Sequence, residues 1–177
     1  YGPTEATTCA TVARVPRDLM DEPSLGKPVR DAEIVLLSLA GEPTAEGQVG
    51  EIHIGGPGLA LGYLNRPELT AERFVSGPYG RLYRTGDLGA WRDGDHLFAG
   101  RLDRQVKVRG FRIEPAEIEA ALLRDPHIER ALVVVREAPT GAQLVAYVES
   151  PGPLAPPAIR KHLAAVLPGY MIPAHVV

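Results

Sequence analysis

Cysteine is nearly missing from this sequence: Cys9 is the only one in 177 residues. A lone thiol excludes an internal disulfide framework, and no CxxC, HExxH or comparable spacing marks a metal site. There is no apolar run of transmembrane length and no signal-peptide pattern, so the cytoplasm is the expected location. An excess of one charge is missing too. Nineteen basic residues against 22 acidic ones give a net charge of −3, which does not suit a general nucleic-acid or membrane-surface binder. No methionine opens the chain, and its first residues read as the middle of something longer, so a fragment is expected.

What is plentiful is apolar content and turn punctuation. At 45% hydrophobic the chain can bury a core, as one ordinary domain or two small ones. Its 19 glycines and 17 prolines are scattered rather than clustered, which predicts many short strands. Residues 33–39, 51–54, 81–85, 89–92 and 96–99 read as strands, with Asp93-Gly94-Asp95 as a hairpin turn and a short helix over 69–74 begun by Thr70. Up to about Leu102 the chain is mostly β. Beyond Asp103 the element types alternate: a hairpin (105–110, 111–114), a helix (115–124), strands (130–136, 144–149) and a helix (157–167). That order fits a small α+β sandwich, with Ile118, Ala121 and Leu122 as the inward face of its first helix.

The most informative run is Gly100 to Ala121, GRLDRQVKVRGFRIEPAEIEAA. Five cationic residues, Arg101, Arg104, Lys107, Arg109 and Arg112, fall in it, and strand alternation puts Gln105, Lys107 and Arg109 on one face and Val106 and Val108 on the other. A hairpin with its charges turned to water explains that pattern as well as a functional one does. Tyr1-Gly2-Pro3-Thr4-Glu5 gathers a ring that can stack on a base, a hydroxyl for a phosphate oxygen and a carboxylate for Mg²⁺, a hard cation preferring oxygen. A turn before a capped element is the plainer reading. Tyr83 to Leu88 (YRTGDL) ends a strand on Asp87, where a carboxylate can accept both hydroxyls of a ribose or cap a turn. Gly56 to Gly62 (GPGLALG) misses GxGxxG by one position and reads as a tight bend, not a dinucleotide turn.

In order, YGPTE, GEIHIGGPGLALGYLNRPELTAERF, LYRTGDL, GRLDRQVKVRGFRIEPAEIE and LPGYMIP closely resemble the amino-acid-activating adenylation domains of nonribosomal peptide synthetases, over nearly the whole chain. The resemblance implies an α+β fold: residues 1–102 as the mostly-β C-terminal part of a large AMP-binding core, and 103–177 as a small mobile C-terminal subdomain. It implies that Tyr1 stacks on adenine, Thr4 contacts the α-phosphate and Glu5 binds Mg²⁺. Asp87 would hold the ribose with Arg101 assisting, and Phe98 would be a second aromatic near the base. Thr8 and Cys9 would line the amino-acid pocket, Cys9 as a wall and not a nucleophile. Asp103 would be the hinge about which the small subdomain turns, swinging Lys107 toward the active site, so that Thr4, Glu5 and Lys107 form the catalytic set.

The implied activity uses ATP and Mg²⁺ to make an aminoacyl-adenylate, then passes the aminoacyl group to the phosphopantetheine thiol of a peptidyl carrier protein, in an assembly line that includes condensation domains. The family's phosphate loop and most of its amino-acid pocket are expected upstream of Tyr1, and its adenylation lysine beyond Val177. Residues 1–177 alone are therefore expected to form no adenylate. A fatty-acid or aryl-acid CoA ligase of the same superfamily is the alternative enzyme. A non-catalytic carrier-docking module built on residues 104–177 is the alternative from another class.

Overall fold

The computed structural model describes residues 1–20, 22–139 and 141–177. The chain is mixed α+β and strand-dominated, and it divides into two compact units, Tyr1–Asp103 and Arg104–Val177. Among the described residues no helix is long and apolar enough to cross a membrane.

In the first unit, Thr11–Val12 (β1) and Lys27–Pro28 (β2) form a small antiparallel ribbon. Glu33–Leu37 (β3) pairs antiparallel with Val49–Gly55 (β4), setting Ile34 opposite Ile54 and Leu36 opposite Ile52. These branched pairs suit a pleated surface and pack on Ala6 and Ala10 as one apolar cluster. The helix α1 is Pro67–Arg73, three residues ahead of the expected start at Thr70, because proline's fixed φ and missing N–H suit a first turn. Thr70 does not cap: its hydroxyl donates to the carbonyl of Arg66 at 2.8 Å and accepts the Tyr63 N–H at 2.9 Å.

Phe74–Gly77 (β5) leads into Gly80–Arg92 (β6), one 13-residue strand where two shorter strands were expected. β4 lies along one edge of β6, while β5 and Asp95–Arg101 (β7) share the other. The expected turn at Asp93-Gly94 joins β6 to β7, both residues having positive φ (51° and 82°).

The second unit begins with a hairpin, Val106–Val108 (β8) and Phe111–Ile113 (β9), turned through Arg109 and Gly110 at φ 52° and 81°. Pro115–Leu122 (α2) buries Ile118, Ala121 and Leu122 on one face, as the spacing predicts. Arg130–Ala138 (β10) and Gly141–Glu149 (β11) pair antiparallel, Pro156–Ala164 (α3) inserts Ile159 and Leu163, and His175–Val176 (β12) adds in parallel to β11. Val133, Leu144, Ala146 and Met171 complete a single apolar core. One expectation for this unit is overturned: Gln105 is not on a solvated face with Lys107. It is buried, donating to the carboxylate of Glu114 and accepting from Arg112 Nε at 2.8 Å, because an amide that both donates and accepts can be buried with its bonds satisfied.

Candidate functional site

The site in the first unit is built on a break in the β4–β6 ladder. Glu51 pairs with Leu88 and His53 with Arg84, so one residue on β4 faces three on β6, and Thr85, Gly86 and Asp87 bulge out of register. Side chains replace the missing ladder bonds. Thr85 Oγ1 donates to the carbonyl of Ile52 at 2.7 Å and accepts the Asp87 N–H at 2.9 Å. The Gly86 N–H donates to Glu51 Oε1 at 3.2 Å, and the Leu102 N–H returns to the Gly86 carbonyl at 2.8 Å. Gly86 takes φ +72°, and a Cβ there would stand 2.8 Å from Asp103 Oδ2 and 3.0 Å from Arg101 Nη2, so this position suits only glycine.

The bulge aims the buried Asp87 carboxylate at two donors. Tyr1 gives its hydroxyl to Oδ2 at 2.5 Å, and Arg101 Nη1 contacts Oδ1. The same guanidinium forks onto Asp103, Nε to Oδ1 at 2.7 Å and Nη2 to Oδ2 at 2.8 Å, with Arg73 Nη1 at 3.9 Å from Oδ2. Burial first, and then the Asp87 charge, push the Tyr1 phenol far above its ordinary range, so it remains a proton donor. Arg101 is raised by its two carboxylates against the opposing effect of burial. Tyr1, Asp87, Arg101 and Asp103 thus form one hydrogen-bonded cluster.

Thr4–Ala6 is a 3₁₀ turn that carries Glu5, and the segment around it is closed on itself: the Ala10 and Thr11 N–H groups both donate to the Tyr1 carbonyl, at 2.8 and 2.9 Å. Thr7 and Thr8 follow at φ 55° and 71°, unusual for threonine, so the surrounding bonds hold a strained backbone beside the site. Glu5 Oε1 accepts the Tyr63 hydroxyl at 2.7 Å. Burial is also the first cause of a strongly raised Tyr63 phenol, followed by its bonds to Tyr83 and Glu5. As a cation ligand Glu5 fits the hard chemistry of Mg²⁺, which commonly takes one or two carboxylates with substrate phosphates supplying the rest. Among the described residues no group of three or more His, Cys, Asp or Glu could hold a metal ion by itself.

Sequence models of one family match both ends of this chain: "AMP-binding enzyme" over residues 1–64 and "AMP-binding enzyme C-terminal domain" over 117–177. The chain belongs to the AMP-binding enzyme family. A dimodular nonribosomal peptide synthase of Bacillus subtilis (strain 168) is 47% identical over 98% of the chain and 8% of its own length. A component of the linear gramicidin synthase of Brevibacillus parabrevis is 48% identical over the whole chain and 4% of its own length. Among solved structures, PA1221, an NRPS protein containing adenylation and PCP domains, matches with a TM-score of 0.83 and 34% identity over all of this chain and 37% of that one. The chain therefore spans less than a tenth of the length of the two curated synthases.

In this member of the family the remaining candidates lie on and after the Glu5 turn, on β7 and on β8. Thr4 is exposed on the Glu5 turn, and Thr8 and Cys9 are exposed beyond it, with Cys9 Sγ 3.5 Å from the Thr11 carbonyl. Phe98 is half-exposed on β7, three residues before Arg101. Lys107 is exposed on β8 of the second unit, opposite Arg112. Arg104, next in sequence to Asp103, is fastened within the second unit: Nη2 donates to Glu119 Oε1 at 2.7 Å and to the Val133 carbonyl at 2.8 Å.

Sequence reasoning missed Glu51, Thr85 and Tyr63. Glu51 is 8% exposed and receives Arg84 Nη2 at 3.1 Å besides the Gly86 N–H. The available signal was a carboxylate set in an apolar β-run, GEIHIG. Nothing local marks Tyr63, whose partner lies 58 residues earlier.

Proposed function

We propose that this chain supplies the ribose-binding, cation-binding and hinge residues of an ATP-dependent amino-acid adenylating ligase of a nonribosomal peptide synthetase. The cluster of Tyr1, Asp87, Arg101 and Asp103 on the bulged strand carries the reading. A buried carboxylate held by a phenol and a guanidinium is a preorganised acceptor for paired ribose hydroxyls, and the Tyr1 ring beside it offers a face to adenine.

The amino-acid carboxylate is ionised at neutral pH, its pKa being about 3.5, so its attack on the α-phosphorus of ATP needs no general base. One bond forms from carboxylate oxygen to phosphorus, the α–β bridge breaks, and pyrophosphate leaves with the electron pair. The requirement is alignment and neutralised charge. Asp87 and Tyr1 fix the nucleoside, Thr4 donates to the α-phosphate and Glu5 holds the cation. Bound Mg²⁺ supplies charge neutralisation on the phosphates. In the second half-reaction the phosphopantetheine thiol of a carrier protein attacks the acyl carbon and releases AMP. Asp103 is the pivot, and Lys107 rides on the hairpin that swings with the second unit.

Amino-acid-dependent ATP–pyrophosphate exchange tests this. The intact synthetase that carries these residues exchanges label with one amino acid or a few, and Asp87→Ala lowers that exchange at least about 100-fold, since an electrostatic contact of this kind supplies ~2.7 kcal/mol or more. Residues 1–177 alone give none. Exchange that is indifferent to Asp87, or exchange by 1–177 alone, overturns the assignment as stated.

A further inference from the structure

The Gly56–Gly62 bend and the Tyr63 that follows it are fastened at several points and in turn fasten the Glu5 turn. Arg81 Nη1 and Nη2 donate to the successive carbonyls of Ala60 and Leu61, each at 2.8 Å, while the guanidinium lies 4.6 Å from the centre of the Phe74 ring. Gly62 has φ +153°, and a Cβ there would come within 2.4 Å of Thr70 Cγ2, so the loop closes onto α1 only with glycine at this point. Tyr63 then packs edge-on against buried Phe74, ring centres 5.7 Å apart, which fixes where its hydroxyl stands.

From this platform three hydrogen bonds connect to residues 5–7. The Ala60 N–H donates to the Glu5 carbonyl at 2.8 Å, Thr7 Oγ1 donates to the Gly58 carbonyl at 2.6 Å, and the Tyr63 hydroxyl donates to Glu5 Oε1 at 2.7 Å. The first holds the Glu5 backbone, the second the Thr7 side chain and the third the Glu5 carboxylate. A glutamate on a short 3₁₀ turn has three side-chain torsions to settle, and a fixed donor on one oxygen sets the plane of the group and hence the position of the other oxygen.

We propose that the Gly56–Tyr63 loop is the positioning element for Glu5, with the Tyr63 hydroxyl as the atom that orients its carboxylate toward a divalent cation. The proposal rests on Glu5 being the cation ligand. Tyr63 is a positioning residue and touches neither substrate nor cation.

The test is a double-mutant cycle read by Mn²⁺ affinity, measured by electron paramagnetic resonance in the presence of ATP on the full chain, together with thermal melting. Tyr63→Phe keeps the ring and removes only the hydroxyl. Orienting partners of metal ligands are worth about 10–100-fold in affinity. Tyr63→Phe is expected to weaken Mn²⁺ binding about tenfold with little change in melting, Glu5→Gln to weaken it more, and the double variant to match Glu5→Gln. Equal Mn²⁺ affinity in wild type and Tyr63→Phe, with loss only in Glu5→Gln, overturns the positioning role and leaves Glu5 as the ligand. A Tyr63→Phe loss that persists undiminished in the Glu5→Gln background overturns it in favour of a merely structural hydroxyl. Mn²⁺ affinity that Glu5→Gln does not change, absence of binding included, overturns the Glu5 assignment and the positioning role with it.

Discussion

The two units bury different chemistry. Among the described residues of Arg104–Val177, one cluster joins twelve buried apolar side chains, from Val108 to Met171. Tyr1–Asp103 buries Thr11, Glu51, His53, Thr85, Asp87 and His96 among its apolar residues. An apolar core is largely self-sufficient, since its stability grows with the area removed from water. A polar interior is not, because each buried charge must be matched by named partners or it destabilises the fold. The first unit accepts that demand where β6 leaves its ladder, and the result is a carboxylate fixed between a phenol and a guanidinium. In the second unit the buried polar side chain among the described residues is the neutral amide of Gln105, held by Glu114 and Arg112, and the candidate residue Lys107 stands on the surface.

The sharpest way to break this contrast is to damage the apolar core. Leu122→Ala removes a fully buried side chain and is expected to cost ~2–5 kcal/mol. Trp91 is the only tryptophan and lies in the first unit, so its fluorescence reports that unit while far-UV circular dichroism reports both. In urea, Leu122→Ala should bring forward the dichroism change and leave the Trp91 transition in place. A Trp91 midpoint that falls by the same amount would mean that the units unfold as one.

The polar interior is tested by Glu51→Ala, which strands the Gly86 N–H and takes an ion-pair partner from the part-exposed Arg84. A loss of ~1–3 kcal/mol is expected, this time in the Trp91 transition, together with weaker nucleotide binding because Asp87 is no longer aimed. Unchanged stability would show that water replaces Glu51 without penalty.

The smallest effect is a pH dependence at Tyr1. Its pKa is raised in the folded state above an unfolded value of about 10, so the folded chain binds more protons than the unfolded one in that range. Its contribution is complete below about pH 10 and is lost as pH rises beyond it. Tyr1→Phe should therefore flatten the fall in stability above that pH, and an unaltered alkaline slope would remove Tyr1 from the cluster.

Short-range patterns were readable in the sequence. Ile118, Ala121 and Leu122 face inward because helical spacing alone decides it, and Asp93-Gly94 turns because both residues accept positive φ. What could not be read depends on distant partners. β6 continues through Gly86 only because Glu51, 35 residues earlier, satisfies its N–H, and a glycine before an aspartate otherwise reads as a strand end. Gln105 looked solvent-facing by alternation, yet Glu114 and Arg112 lie across the hairpin to satisfy its amide. The resemblance implies that Arg101 assists Asp87, but neither motif by itself shows their contact, since it needs the β6–β7 register that sets them opposite each other.

Arg101 grips Asp103 within the first unit, and Glu119 grips Arg104 within the second. A single peptide bond separates two residues whose side chains are held by different units. Between those clamps the freely rotating bonds are ψ of Asp103 and φ of Arg104, the peptide itself being planar. A hinge at this point would have two torsions to turn about while the Cα atoms of Asp103 and Arg104 stay about 3.8 Å apart.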